Sequence, residues 1–484
     1  MQMDEKARQQ IDRMCHPRGM AVFGSVGRPG SFAHNTVVNQ RLYGYTGRLY
    51  PITPRGGEID GLKVYRNLGE VDGPVDLAAV AAPAEAVPEI LRDCLRRGVP
   101  GAEVLASGFG ETGDEEGRRL EQEIEEIARQ GLRIVGPNCF GIHCPGGGIT
   151  LPPGGGLSRE AGNVAMISQS GGMALNFGHM ARNMGLELSK IFSFGNGCDL
   201  DAVALLKYLA DDPETTCVAA YLEGVRDGRD FRSVLKALAA EKPTVIWKGG
   251  LTPLGSQAAR SHTGSLAGEA RIWDGILRTP GVASVQGLEE MMDTLSALRH
   301  IKSRGTRIAL VGGGGAIGVF SSDLAFRWSL EIPTFSPETQ KLLKDRFPTP
   351  GNSVLNPLDT GTPGLPLEVL IPLLEDIMRR EPIQVMVLIL LLHAVTRGRP
   401  ASSKMTEASA PSPAYLENLL AALSRMKKEH GLDVVVAFEN WIQDLEVEAI
   451  SMAMKARYQD EGIAVFPGTA RALRAIRNAS LVAS

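Results

Sequence analysis

Short apolar runs that each end in glycine or another small turn residue recur along this chain, and helix-length amphipathic stretches separate them. MAVF runs into a glycine turn at 24–30, VDLAAVAAP covers 75–83, and AEVLASG and LRIVGPN follow at 102–108 and 132–138. AEAVPEILRDCLRRG and GDEEGRRLEQEIEEIARQG lie between them. Strands that alternate with helices must pair in parallel, with helices covering both sheet faces, so the fold class is α/β. The rhythm continues in NVAMISQSGG, LSKIFSFGNG, TCVAAYLEG, PTVIWKGG and VASVQG, then in TRIALVGGGG, QVMVLILLL, LDVVVAFEN and GIAVFPG. At 484 residues the chain is too long for one core. The Gly/Pro segment CPGGGITLPPGGG (144–156) marks the clearest break, and the expected domains are 1–145, 150–302 and 303–484. The Ser/Pro/Ala-rich stretch 397–414 reads as a loop inside the last of these.

Composition excludes several classes. A formal charge of −4 gives no electrostatic reason for binding nucleic acid or an acidic membrane surface. The longest greasy run, Val385 to Leu392, is far short of the roughly 20 residues that span a bilayer. Six cysteines form no C-x-x-C pair, which fits a reducing cytoplasm. Cys139, His143 and Cys144 are close in sequence, but no second ligand pair follows at zinc-finger spacing, and no metal site is expected.

In a parallel sheet, ligands gather at the carboxyl ends of strands, where helix N-termini favour anions. Three turns have this form. Gly24-Ser25-Val26-Gly27-Arg28-Pro29-Gly30 departs from the dinucleotide spacing, and the next strand ends in ITPR with no ribose-binding carboxylate. Arg55 there suits a phosphate, so the turn points to a phosphate-bearing nucleotide over NAD, or else to a tight turn that only packs a helix. Ser168-Gln169-Ser170-Gly171-Gly172 reads equally as an anion cradle or a plain N-cap. VGGGGAIG (311–318) lacks side-chain donors and could be close packing. His262, in ARSHTGSLAG, has only small and polar neighbours, so the segment predicts a hydrated, flexible loop. A nucleophilic imidazole beside anion cradles points to a phosphohistidine carrier, which needs a carboxylate to orient its ring. Glu223, at the end of CVAAYL, is the candidate, the alternative being a solvent-facing loop residue.

With these residues in hand, the chain resembles the α part of the ADP-forming acyl-CoA synthetases, in the succinyl-CoA synthetase superfamily. AVFGSVGRPGS, VDLAAVAAPAEAVPEI, ASGFGE, IVGPNCFGI, ISQSGGMA, FGNGCDLD, YLEGVRDGRDF, ARSHTGSLAG and VLNPLDTG carry the resemblance over about residues 15 to 360. It implies an N-terminal Rossmann-like CoA-binding domain followed by two flavodoxin-like parallel-sheet domains. It places Gly24, Ser25, Arg28 and Pro29 at the phosphates of coenzyme A. Pro83, Ser107 and Asn138 fall in loops that line the CoA and acyl-phosphate site. His262 matches the phosphorylated histidine and Glu223 its supporting glutamate, while Ser168, Gln169, Ser170 and Gly171 would receive the phosphate. Asn196 and Asp199 match a turn to which no role is assigned. ITPR stands where the family usually shows V-N-P-K, and VGGGGAIG where it shows T-N-S-G-G-P-G. No segment is left for an ATP-grasp module, so the resemblance implies a hetero-oligomer with a separate ATP-grasp β subunit that handles ATP/ADP and Mg2+. The expected reaction joins a small carboxylic acid to CoA. A CoA-dependent acyl or carbamoyl transferase and a non-catalytic CoA-binding scaffold are the rivals.

Overall fold

The structure is a computed structural model that describes residues 3–263, 269–346, 352–361, 364–397, 412–431 and 433–482, the side chains of 260–263 and 430 excepted. It divides into two compact units, one running to Met291 and the other starting at Met292.

The first unit holds two sheets. Strands β1 (Gly19–Gly24), β2 (Arg48–Ile52), β5 (Leu77–Ala81), β6 (Gly101–Val104) and β7 (Arg133–Val135) form a parallel sheet in the order β2-β1-β5-β6-β7. A small antiparallel hairpin, β3 (Gly57–Ile59) with β4 (Leu62–Val64), hangs after β2. In this doubly wound order the connections reverse direction between β1 and β5, which opens a crevice at their carboxyl ends. The second sheet runs β13-β12-β11-β9-β10-β8, from β8 (Gly141–His143), β9 (Ala161–Ser168), β10 (Leu188–Ser193), β11 (Cys217–Leu222), β12 (Thr244–Lys248) and β13 (Val282–Val285). Without β8 this is the flavodoxin-like order, which reverses between β9 and β11. β8 joins the edge antiparallel to β10.

The two sheets are not separate cores. Met20, Val22, Leu77 and Ala79 of the first share one continuous buried cluster with Ile142, Ile167, Phe192 and Ile246 of the second. The segment 144–156, expected as the break, is packed into this seam, with Ile149, Thr150 and Leu151 buried. Gln40, from the helix Phe32–Tyr43, takes the Thr150 amide at 3.0 Å. Conformationally permissive residues here serve a tight crossing, not a free linker.

The second unit carries four parallel strands, β14 (Ile308–Gly312), β15 (Val385–Leu391), β16 (Asp433–Glu439) and β17 (Ala464–Phe466), in sequence order. Where a flavodoxin-like sheet would add one more strand beyond β14, the described residues form single bridges, Arg307 to Glu331 and Val311 to Leu358. The apolar run at 385–392 becomes the buried strand β15. Among the described residues no helix is long and apolar enough to cross a membrane.

Candidate active site

The glycine turn after β1 leads into the helix Phe32–Tyr43, capped by Ser31, whose Oγ accepts the His34 amide at 3.2 Å. Ser31 Oγ donates back to Ser25 O at 2.7 Å, and the Arg28 amide donates to the same oxygen at 3.0 Å. His34 Nδ1 lies 2.9 Å from Val26 O. The turn is therefore rigid, while Ser25, Arg28 and Pro29 remain exposed on it. Gly24 is required because it sits at φ +134° and a Cβ would lie 2.4 Å from Ala81 O. Pro83 and Ser107 are exposed just beyond β5 and β6, on the carboxyl edge that bears the turn. Arg55 is exposed in the turn after β2, closed by the Gly56 amide on Thr53 O at 2.9 Å. Asn138 follows β7 at φ +55°, and its amide donates to Ala106 O at 2.8 Å, tying its loop to that of Ser107.

In the second sheet, Ser168 ends β9 and Ser170 caps the helix Gly171–Asn183, its Oγ accepting from the Met173 amide at 3.4 Å. Ser170 is thus an N-cap, and capping leaves the first helical amides pointing along the axis toward any anion placed there. Ser168 Oγ donates to Ser170 O at 2.7 Å, which fixes the turn. Gln169 reaches across to the neighbouring strand: its Oε1 accepts the amides of Glu223 and Gly224, the latter at 3.0 Å. Glu223 is only 4% exposed, not a solvent-facing loop residue. The Tyr221 hydroxyl donates to its Oε1 at 3.0 Å. Under it, buried Lys248 donates to Glu223 O at 2.9 Å and to Gly249 O. Burial pushes the Lys248 ammonium down to about 8, against the opposing pull of Glu223. The sequence reading missed Lys248, although its place at the end of β12, beside the end of β11, was a usable signal.

One aromatic ring connects the two turns. Phe140 lies 5.7 Å, centroid to centroid, from Phe32 in the first turn of the helix after Gly24–Gly30. A Cβ on Gly171 would sit 2.8 Å from Cγ of the same ring. The two anion-facing turns, one from each sheet, converge on Phe140.

FGNGCDLD latches the sheets together. Asp199 accepts the Ile134 amide at 2.8 Å and pairs with Arg133 at 3.0 Å, while the Asn196 and Cys198 amides donate to Pro137 and Gly136 carbonyls. Asn196 Nδ2 donates to Glu111 at 2.6 Å and Glu121 at 2.7 Å. Glu111 in turn takes the Gly108 amide at 2.6 Å, so Asn196 holds the ASGFGE loop in place.

One expectation changes. His262 does not fall on a loop: its backbone is the next-to-last position of the helix Pro253–Thr263, which lies against the Gly110–Thr112 turn. Its side chain and residues 264–268 lie outside the described residues. Of Cys139, His143 and Cys144, close in sequence, Cys139 donates to Val104 O at 3.3 Å and His143 meets Thr150 Oγ1 at 3.2 Å. In the second unit, Asp359 Oδ2 would lie 3.3 Å from a Cβ on Gly315, at the start of the helix Gly315–Arg327. A carboxylate already faces that VGGGGAIG turn, which disfavours a phosphate there.

A doubly wound sheet with a crevice at its carboxyl edge is joined to a flavodoxin-like sheet that carries a helix-capping turn beside a buried glutamate. Residues 18–145 match the CoA binding domain model and residues 161–298 the succinyl-CoA ligase-like flavodoxin domain model. The α subunit of ADP-forming acetate–CoA ligase II from Pyrococcus furiosus is 36% identical over 355 residues, 72% of this chain and 76% of that one. Trans-feruloyl-CoA synthase FCS1, from an unknown prokaryotic organism, is 31% identical over 76% of this chain, which spans 54% of its length. The dinucleotide-forming acetyl-coenzyme A synthetase 1 of Candidatus Korarchaeum cryptofilum, solved with phosphate and ADP, matches with TM-score 0.82 and 28% identity, covering 98% of this chain and 97% of that one. The chain belongs to the ADP-forming acid–CoA ligases, as an α-type chain, and is an acid–thiol ligase that binds coenzyme A.

Proposed function

We propose that this chain makes a thioester from a small carboxylic acid and CoA through a phosphohistidine at His262, with ATP and its Mg2+ handled by a separate ATP-grasp subunit. The observation that carries this reading is the Gln169 bridge, which sets the Ser168–Gly171 turn beside buried Glu223 at the reversal point of the second sheet. A ring nitrogen of His262 attacks the terminal phosphorus of ATP and ADP leaves. Glu223 orients the imidazole and balances the positive charge it develops. A carboxylate oxygen of the acid then takes the phosphoryl group, and the Ser168–Gly171 turn and helix dipole stabilise the charge on it. Gly24, Ser25, Arg28, Pro29 and Arg55 hold the phosphates of CoA; Pro83, Ser107 and Asn138 line the route to its thiol. The CoA sulfur attacks the acyl carbon, phosphate departs, and the thiol proton leaves to solvent. Splitting one displacement into two through a covalent carrier lowers each barrier.

Labelled ATP tests this. The purified chain alone acquires no label, whereas with its ATP-grasp partner it acquires acid-labile label that His262→Ala abolishes, CoA affinity being unchanged. Label persisting in H262A places the phosphate elsewhere. Label without any partner overturns the need for a second subunit. The identity of the acid follows from a thioester-formation screen that spans acetate to aryl acids.

A further inference from the structure

Away from the crevice, three side chains that no step above uses meet at the seam between the two sheets of the first unit. His16 closes the helix Glu5–Cys15, Cys144 follows β8, and Glu214 lies in the turn after the helix Ala202–Asp211. His16 Nε2 is 4.0 Å from Cys144 Sγ and 3.7 Å from Glu214 Oε1, and the three ligand atoms all lie within 4.8 Å of one another. The geometry points to a divalent-cation site of the zinc type, with His16 Nε2, Cys144 Sγ and Glu214 Oε1 as ligands and water in the fourth position.

His16 and Glu214 are each already oriented by a partner that leaves the relevant atom available. His16 Nδ1 lies 3.2 Å from Asp12 O, a carbonyl that accepts a hydrogen bond from Nδ1 and turns Nε2 toward the cluster. Lys190, fully buried, binds the other carboxylate oxygen, Glu214 Oε2, at 2.6 Å and Asp212 at 2.8 Å, which aims Oε1 at His16. Cys15, next to His16 in the chain, and Cys144 are both fully buried. The turn itself is fixed, since Asp212 accepts from Thr215 Oγ1 at 2.6 Å and from the Glu214 amide at 3.2 Å. Gly146 passes over the cluster, and a Cβ there would be 3.5 Å from His16 Nε2 and 3.8 Å from Glu214 Oε1. The ligand types select the metal: thiolate with imidazole and carboxylate suits zinc, while magnesium and calcium prefer an all-oxygen set. Tetrahedral zinc with bonds of ~2.0–2.3 Å sets its ligand atoms about 3.3–3.8 Å apart; His16 is within about half an ångström of that spacing from each partner, while Cys144 Sγ and Glu214 Oε1, within 4.8 Å of each other, close by up to about 1 Å on binding. Binding puts a metal bond on Cys144 Sγ and on His16 Nε2 in place of the proton the two share, and releases that one proton to solvent. His16 and Glu214 are both exposed, which gives the ion a path in.

The test uses the full chain, stripped with a chelator and titrated with Co2+ as a spectroscopic probe. One equivalent should bind with a thiolate-to-cobalt charge-transfer band, and Zn2+ should displace it. His16→Gln, at an exposed position, should weaken Co2+ at least ~10-fold, since loss of even an outer partner of a ligand costs that much. Cys144→Ser, checked for native circular dichroism, should remove the charge-transfer band. No band on the wild-type chain, unchanged affinity in H16Q, or a band that survives in C144S overturns the site.

Discussion

At the scale of single residues, the pair that decides most is Glu223 and Lys248. Glu223 is held by the Tyr221 hydroxyl and, through its backbone, by Gln169 and Lys248. Glu223→Gln keeps the shape but removes the carboxylate that the proposed mechanism sets against the imidazole of His262. It should fold normally and slow phosphorylation of the chain by roughly 10²–10⁴-fold, as loss of a proton-transfer partner commonly does. Rapid-quench measurement of label uptake with the partner present checks this, and an unchanged rate assigns Glu223 a purely structural role. Neither role was fully visible in the sequence. An end-of-strand glutamate announces itself, but a lysine before two glycines reads as a solvated strand end. Only the packing of Trp273, 4.9 Å from Nζ, and the closure of β11 on β12 bury it.

At the scale of elements, most of the fold was legible because each long parallel strand is a continuous apolar run that ends in a turn residue. What was missed was short or depended on a distant partner. β8 is three residues, GIH, and exists because β10 offers it an antiparallel edge. The helix Glu5–Cys15 was passed over although Asp4 caps it, accepting the Ala7 amide at 3.1 Å. The segment around His262 reads as a loop because Ser, Thr and Gly flank it. Its start nevertheless carries a helix signal: Thr252 Oγ1 accepts the Gly255 amide at 3.0 Å, and Pro253 opens the helix. The FGNGCDLD turn shows what such partner-dependent elements do. Asn196→Asp would set a third carboxylate against Glu111 and Glu121 in place of a donor to both. It should cost about 1–3 kcal/mol of stability and weaken CoA binding through the loosened Ser107 loop. Urea denaturation and calorimetric CoA titration of the full chain measure the two effects, and wild-type values for both would mean the latch holds nothing.

At the scale of the whole molecule, the seam between the first two sheets carries a pH dependence of its own. Glu103 of β6 is completely buried and accepts the Ile142 amide of β8 at 3.0 Å. Burial raises its carboxyl to about 8, that hydrogen bond opposing the rise. Between the ordinary glutamate value of 4.5 and about 8, the folded chain keeps a proton that the unfolded chain has lost. Stability therefore falls as pH rises through this window, by about 1.4 kcal/mol per pH unit at most. Glu103→Gln should flatten that slope in denaturation series from pH 5 to 8, and an unchanged slope would place the proton elsewhere. The same seam restricts how such a gene can be rearranged. The strand Gly141–His143 follows the first sheet in the chain yet completes the second. A break after this strand would hand one fragment an edge strand that belongs to the other, and a break before it would still open a single oily interior to water on both sides. Insertions, fusions and fissions in the lineage of this chain are thus expected to spare the stretch from the end of β7 to the start of β9, however glycine-rich and dispensable it looks.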